Sequence, residues 1–171
     1  MTTLLHYEDL QVGNRWVSQG RTVTEADVVN FAGMTGDYNP LHVDHEFASE
    51  TPFRRPIAHG LLGLSFVAGL SSYAPYVKTL AFLKIDTWEF LKPIFIGDTV
   101  HVETDVIDAR PKGRRAGHVC WDRRLINQAG EVLQAGRFET LVSIANPRAQ
   151  RNRMQSVTAQ VHQMAAHRKA G

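Results

Sequence analysis

The sequence has a single cysteine, Cys120, among 171 residues, so no internal disulfide can form. A lone thiol fits a reducing compartment. Long hydrophobic runs are also missing. The longest, "IAHGLLGLSFVAGL" from Ile57, is broken by His59 and several glycines and falls short of a membrane span. The opening "MTTLLHYEDL" has neither a basic leader nor a sustained apolar core, so no signal peptide is read. These absences lead us to expect a cytoplasmic protein without a membrane partner. Acidic residues are absent from Pro147 onward, where there are five Lys/Arg. Residues 1–146 carry 14 basic and 17 acidic residues, a net charge of −3. A nucleic-acid surface wants basic residues on a folded face, and only "RPKGRR" (110–115) offers a cluster there. We therefore expect no nucleic-acid partner and read that cluster as a solvated hairpin tip, one that could also meet phosphates.

What is present is an ordinary globular composition, 43% hydrophobic and 21% charged, enough for a core. We expect one domain over 1–146 and a basic C-terminal tail over 147–171, read as a weak helix or a frayed end. "NRWVSQGRTVT" reads as a first strand. "TEADVVNFAGMTG" reads as a helix, with Thr24 as N-cap, acids in its first turn, and Gly33 and Gly36 ending it. "HEFASETPF" looks like a short helix stopped before Pro52. Residues 57–74 are apolar nearly all round, which predicts a long helix buried on every side. Four strands follow: "TLAFLKIDTWEFLKPIF", "DTVHVETDVIDAR", "GHVCWDRRLINQ" and "EVLQAGRFETLVSI", read as a meander. Between Val100 and Val106 the apolar and polar residues alternate, as an antiparallel sheet with one wet face requires. The expected class is α+β: a curved antiparallel sheet wrapped round a long buried helix. Trp88 and Trp121 read as core, and Cys120 as buried and inert.

The candidate chemistry sits in "TGDYNPLHVD" (35–44). Pro40 fixes its own φ and restricts Asn39 to extended geometry, so the segment joining Asp37 to His42 is stiff. A carboxylate near an imidazole can move protons near neutral pH. Gly60, after His59, falls at the first turn of the long helix. Backbone N–H groups lack helical partners there, the dipole favours negative charge, and a glycine admits a ligand closely. A base, an acid and an oxyanion donor are the parts needed to add water across a double bond conjugated to a carbonyl, or to remove it. His59 reads as an orienting hydrogen-bonder at the helix entry. The H-x-D-H spacing of His42, Asp44 and His45 is a weak ligand pattern, and an EF-hand reading fails at its sixth and twelfth positions, so we expect no metal.

The run "FAGMTGDYNPLHVDHEFASETPFRRPIAHGLL" (31–62) resembles the hydratase-2 motif of MaoC-like (R)-specific enoyl-CoA hydratases, which have the hotdog fold. "WEFLKPIFIGDTV" (88–100) resembles the sheet segment that follows in that family, and with the strand order the likeness spans about residues 7–145. The resemblance implies syn hydration of trans-2-enoyl thioesters to (R)-3-hydroxyacyl thioesters, or the reverse, with no cofactor. It implies Asp37 and His42 as the dyad that holds and activates water, Asn39 and His59 as supporting residues, and Gly60 as the oxyanion-hole donor. It also implies an acyl-CoA partner and a homodimer or higher even oligomer. Some members carry a serine eight residues after that glycine, near the acyl site; here that position is Ala68, and the nearest serine is Ser65. The rivals are a thioesterase on the same fold, or a non-catalytic subunit that binds acyl thioesters.

Overall fold

The structure is a computed structural model describing residues 3–145; the tail from Pro147 lies outside the described residues. A 3-10 turn at Tyr7–Asp9 leads to two short strands, β1 (Arg15–Val17) and β2 (Arg21–Thr22). The single first strand read from the sequence is thus split. Ser18 turns its hydroxyl onto the Val102 N–H between the two pieces, which pair separately with β4 (Thr99–Lys112). Helix α1 (Glu25–Thr35) begins at a reciprocal cap. Thr24 Oγ1 accepts from the Asp27 N–H, and the Asp27 carboxylate accepts from the Thr24 N–H at 2.9 Å. Burial raises the Asp27 carboxyl, but the bonds from Thr24 and Arg21 outweigh it and hold it below its ordinary range. The helix ends at Gly36, whose φ of 79° is the left-handed cap conformation; Gly33 lies inside the helix.

Helices α2 (Pro40–Val43) and α3 (His45–Ser49) follow, and then α4 (Gly60–Leu70). Helix α4 differs from the expected element in length and in burial. Leu62, Gly63, Phe66 and Val67 are buried against the sheet, while Leu61, Ser65, Ala68 and Gly69 are exposed on this single chain. An all-round apolar helix needs cover on both sides, and β4 and β5 (Ala116–Ile126) supply it on one.

The sheet order is β1-β4-β5-β6-β3, all antiparallel, with β3 at Thr79–Phe90 and β6 at Val132–Ser143. The four long strands are therefore not a meander: β3 crosses to the far side of β6 instead of pairing with β4. Val100, Val102, Val106, Val119, Trp121, Leu125 and Phe138 point inward to meet Phe31, Leu62, Phe66 and Val67 in one core. Cys120 lies on the outer face and is half-buried, because the strand alternation that buries Val119 and Trp121 turns it away. Burial and then Glu139 push its thiol pKa up, so it is a poor nucleophile. The expected curved sheet around a central helix is what the chain forms, and no helix among the described residues is long and apolar enough to cross a membrane.

Candidate active site

The stiff segment after α1 is more ordered than a loop. Asn39 caps α2 by accepting from the Leu41 N–H at 3.0 Å, and Pro40 takes the first helical position, where its missing N–H costs nothing. Asn39 has φ −54° and ψ 130°, the extended geometry expected before proline. Its side chain serves this cap, while its N–H reaches back to Asp37 Oδ1 at 3.3 Å. The short α2 turn then presents His42 to the start of α4.

Asp37, His42 and His59 each place one donor atom within 4.8 Å of the other two. His42 Nδ1 lies 2.7 Å from the carbonyl oxygen of Ile57. A carbonyl only accepts, so Nδ1 carries the proton and Nε2 of the neutral ring keeps a lone pair. His59 is 3% exposed. Its Nε2 donates by the same logic to the Asp37 backbone carbonyl at 2.9 Å. Its ring lies 3.8 Å from that of His42, tilted 32°, and 5.1 Å from Phe31 on the other side. His59 thus wedges the Asp37–His42 segment against the α4 entry. The Asp37 carboxylate points outward, with a 54% exposed side chain, 4.0 Å from His59 Nε2.

Two nitrogens of this cluster are already engaged: His42 Nδ1 and His59 Nε2 each donate to a backbone carbonyl.

Gly60 is the first residue of α4, directly after His59, and its N–H has no helical acceptor. A Cβ on Gly60 would lie 2.9 Å from the Phe90 ring. The backbone here is held by a residue the sequence reading missed. Gln134, buried on β6, donates from Nε2 to the Gly60 carbonyl at 2.9 Å. The only sequence signal for it was a polar side chain beside inward-facing apolar ones in "EVLQAGRF". Beside Gly60 opens a cleft of about 310 Å³, lined by Phe53, Ile57, Phe90, Lys92, Ile94 and Gln134.

The comparisons with known proteins agree with this architecture. Residues 11–124 match the MaoC like domain, and the chain belongs to that family. Its fold is the hotdog fold. A 3-hydroxybutyryl-CoA dehydratase of Methylorubrum extorquens is 38% identical over 120 residues, 68% of this chain and 73% of that protein. An (R)-specific enoyl-CoA hydratase of Rhodospirillum rubrum is 35% identical over 146 residues, 81% of this chain and 93% of that protein. Among solved structures, a monoamine oxidase regulatory protein from Archaeoglobus fulgius superposes with a TM-score of 0.77 at 33% identity. That match covers 85% of this chain and 99% of the other.

Proposed function

We propose that the protein hydrates a trans-2-enoyl-CoA to an (R)-3-hydroxyacyl-CoA, and catalyses the reverse dehydration, with Asp37 and His42 as its catalytic residues. The observation that carries this is the His42 Nδ1–Ile57 carbonyl bond, which leaves Nε2 as the basic nitrogen of a ring grouped with Asp37 and His59 at the start of α4. Asp37 accepts one hydrogen of the water and orients it. Nε2 takes the other proton as the oxygen adds to C3. The C2=C3 electron pair moves onto the thioester oxygen, which the Gly60 N–H holds. The proton on His42 then returns to C2 from the same face, so addition is syn and the ring is neutral again. His59 and Asn39 act by position: one fixes the Asp37 backbone, the other caps the turn carrying His42. The family membership and the names of the two relatives above support the same chemistry.

Purified protein with crotonyl-CoA tests this directly. The expected result is loss of the conjugated enoyl absorbance with no released thiol, and an (R)-alcohol as product. Thiol release would replace this reading with a thioesterase. Absorbance loss giving the (S)-alcohol would refute the assigned geometry.

We propose further that the working form is a homodimer joined along β3. Among the described residues this strand pairs with β6 alone, and Leu80, Phe82, Leu83 and Ile85 on it are all exposed. A free hydrophobic edge invites another chain, and two copies of one edge can pair antiparallel with each other. Light scattering is expected to give twice the chain's mass, falling to the single-chain mass in Leu83→Lys. A monomeric wild type would refute the dimer.

A further inference from the structure

The inner face of β5 reads Val119, Trp121, Arg123, Leu125, so an arginine occupies a core position. Arg123 is 8% exposed. Among the described residues it has no carboxylate within 4.0 Å of its side-chain nitrogens, and its Nε has no hydrogen-bond partner. The remaining residues, 1–2 and 146–171, contain no Asp or Glu. Burial pushes the guanidinium pKa down to about 10, which still leaves it charged at neutral pH. Among the described residues its compensation is aromatic: the guanidinium lies 4.5 Å from the Phe138 ring and 5.7 Å from that of Trp121. A cation–π contact offsets only part of the desolvation of a charge.

Arg123 opens into a cavity of about 180 Å³, lined also by Ser71, Ser72, Phe82, Trp121 and Thr140. That volume holds roughly six water-sized groups, too little for a nucleotide and enough for a carboxylate with its adjoining carbons. The donors facing it are the Arg123 guanidinium and one hydroxyl, that of Thr140. Thr140 Oγ1 already accepts from Trp121 Nε1 at 2.8 Å, so its own proton is free to be donated. Ser71 and Ser72 have already given their protons to the carbonyls of Val67 and Ala68, so they border the cavity without donating to a ligand. Thr104, opposite Arg123 in the strand register, is another buried polar group without a partner among the described residues. A planar guanidinium with a hydroxyl beside it matches a carboxylate.

The cavity and the proposed oxyanion site lie at opposite ends of α4. Ala68 lines the cavity, eight residues after Gly60 on the same helix and roughly 12 Å along its axis. We propose that this cavity is the subsite for a distal carboxylate on the acyl group, so that the preferred substrate is an enoyl thioester bearing a second, ionised carboxyl. The inference rests on the hydratase reading above and names its substrate class.

Two series of trans-2-enoyl-CoA substrates test it, one ending in a carboxylate and the other, of equal lengths, in a methyl group. At the matching length, the wild type should favour the carboxylate in kcat/KM by at least about tenfold, the span of one good charged contact. Arg123→Met should bring that ratio near unity, and Arg123→Lys should retain part of it. Saturated acyl-CoAs with the same two ends cannot be hydrated, and their calorimetric affinities report the subsite without turnover. Arg123-dependent binding of the carboxylate form without hydration of any substrate would sink the hydratase reading and keep the subsite. Turnover with no preference at any length would sink the subsite alone. Arg123→Met should melt no lower than the wild type, because it removes an unpaired buried charge. A lowered Tm with an unchanged substrate ratio would make Arg123 structural and overturn the proposal; should the variant fail to fold, Arg123→Lys decides by the same ratio.

Discussion

Asp37→Asn and His42→Gln are each expected to lower turnover by about 100- to 10,000-fold, the usual contribution of a positioned acid or base. Neither change should unfold the chain. The Asp37 side chain is 54% exposed, and an asparagine there still accepts from the Asn39 N–H. A glutamine at 42 can keep donating to the Ile57 carbonyl, but its other end is an amide oxygen with no useful basicity. Melting temperature and circular dichroism should therefore match the wild type while the enoyl assay falls silent. The double variant should lose little more than the worse single one, because residues acting on one water molecule are not additive. Near-normal rates in both single variants, with normal melting, would remove the pair from the mechanism. A loss of only a few-fold in one would reduce that residue to positioning.

The parts of the molecule set by local rules were legible in the sequence. Thr24 and Asp27 announce the start of α1, and Gly36 its end. The two-residue alternation from Val100 to Val106 appears as alternating burial along β4. The closeness of Asp37 and His42 was legible because only a short stretch containing Pro40 separates them. Long-range geometry was not legible. Nothing local tells β3 to pair with β6, some fifty residues away, and not with β4. The apolar residues around α4 gave its hydrophobicity but not which face the sheet covers. His59 was legible as a hydrogen-bonding residue at the helix entry, and it bonds the Asp37 carbonyl. Its place between Phe31 and His42 depends on how α4 docks. Gln134 and Arg123 left the same faint trace, a polar side chain at an inward strand position. That trace cannot say whether such a residue meets a backbone carbonyl, as Gln134 does, or a cavity, as Arg123 does.

Phe138→Ala is expected to cost about 3–5 kcal/mol of folding stability, a large share of the roughly 5–15 kcal/mol that holds a typical domain. The ring is fully buried and in contact with Phe82 at 5.2 Å, Trp88 at 5.4 Å and the Arg123 guanidinium at 4.5 Å. Its loss leaves a cavity beneath the sheet that these groups cannot close without moving β3. For a chain of this size each kcal/mol lowers Tm by about 2–4 °C, so a fall of roughly 6–20 °C should be seen. The same truncation in an Arg123→Met background should cost less, by the roughly 0.5–2 kcal/mol of the cation–π contact that is no longer there to lose. Equal costs in the two backgrounds would mean that the aromatic face does nothing for the charge. A measurable coupling would show how the chain keeps a cation in its core without an acid. The ring supports the guanidinium from one side, and among the described residues nothing bonds its Nε.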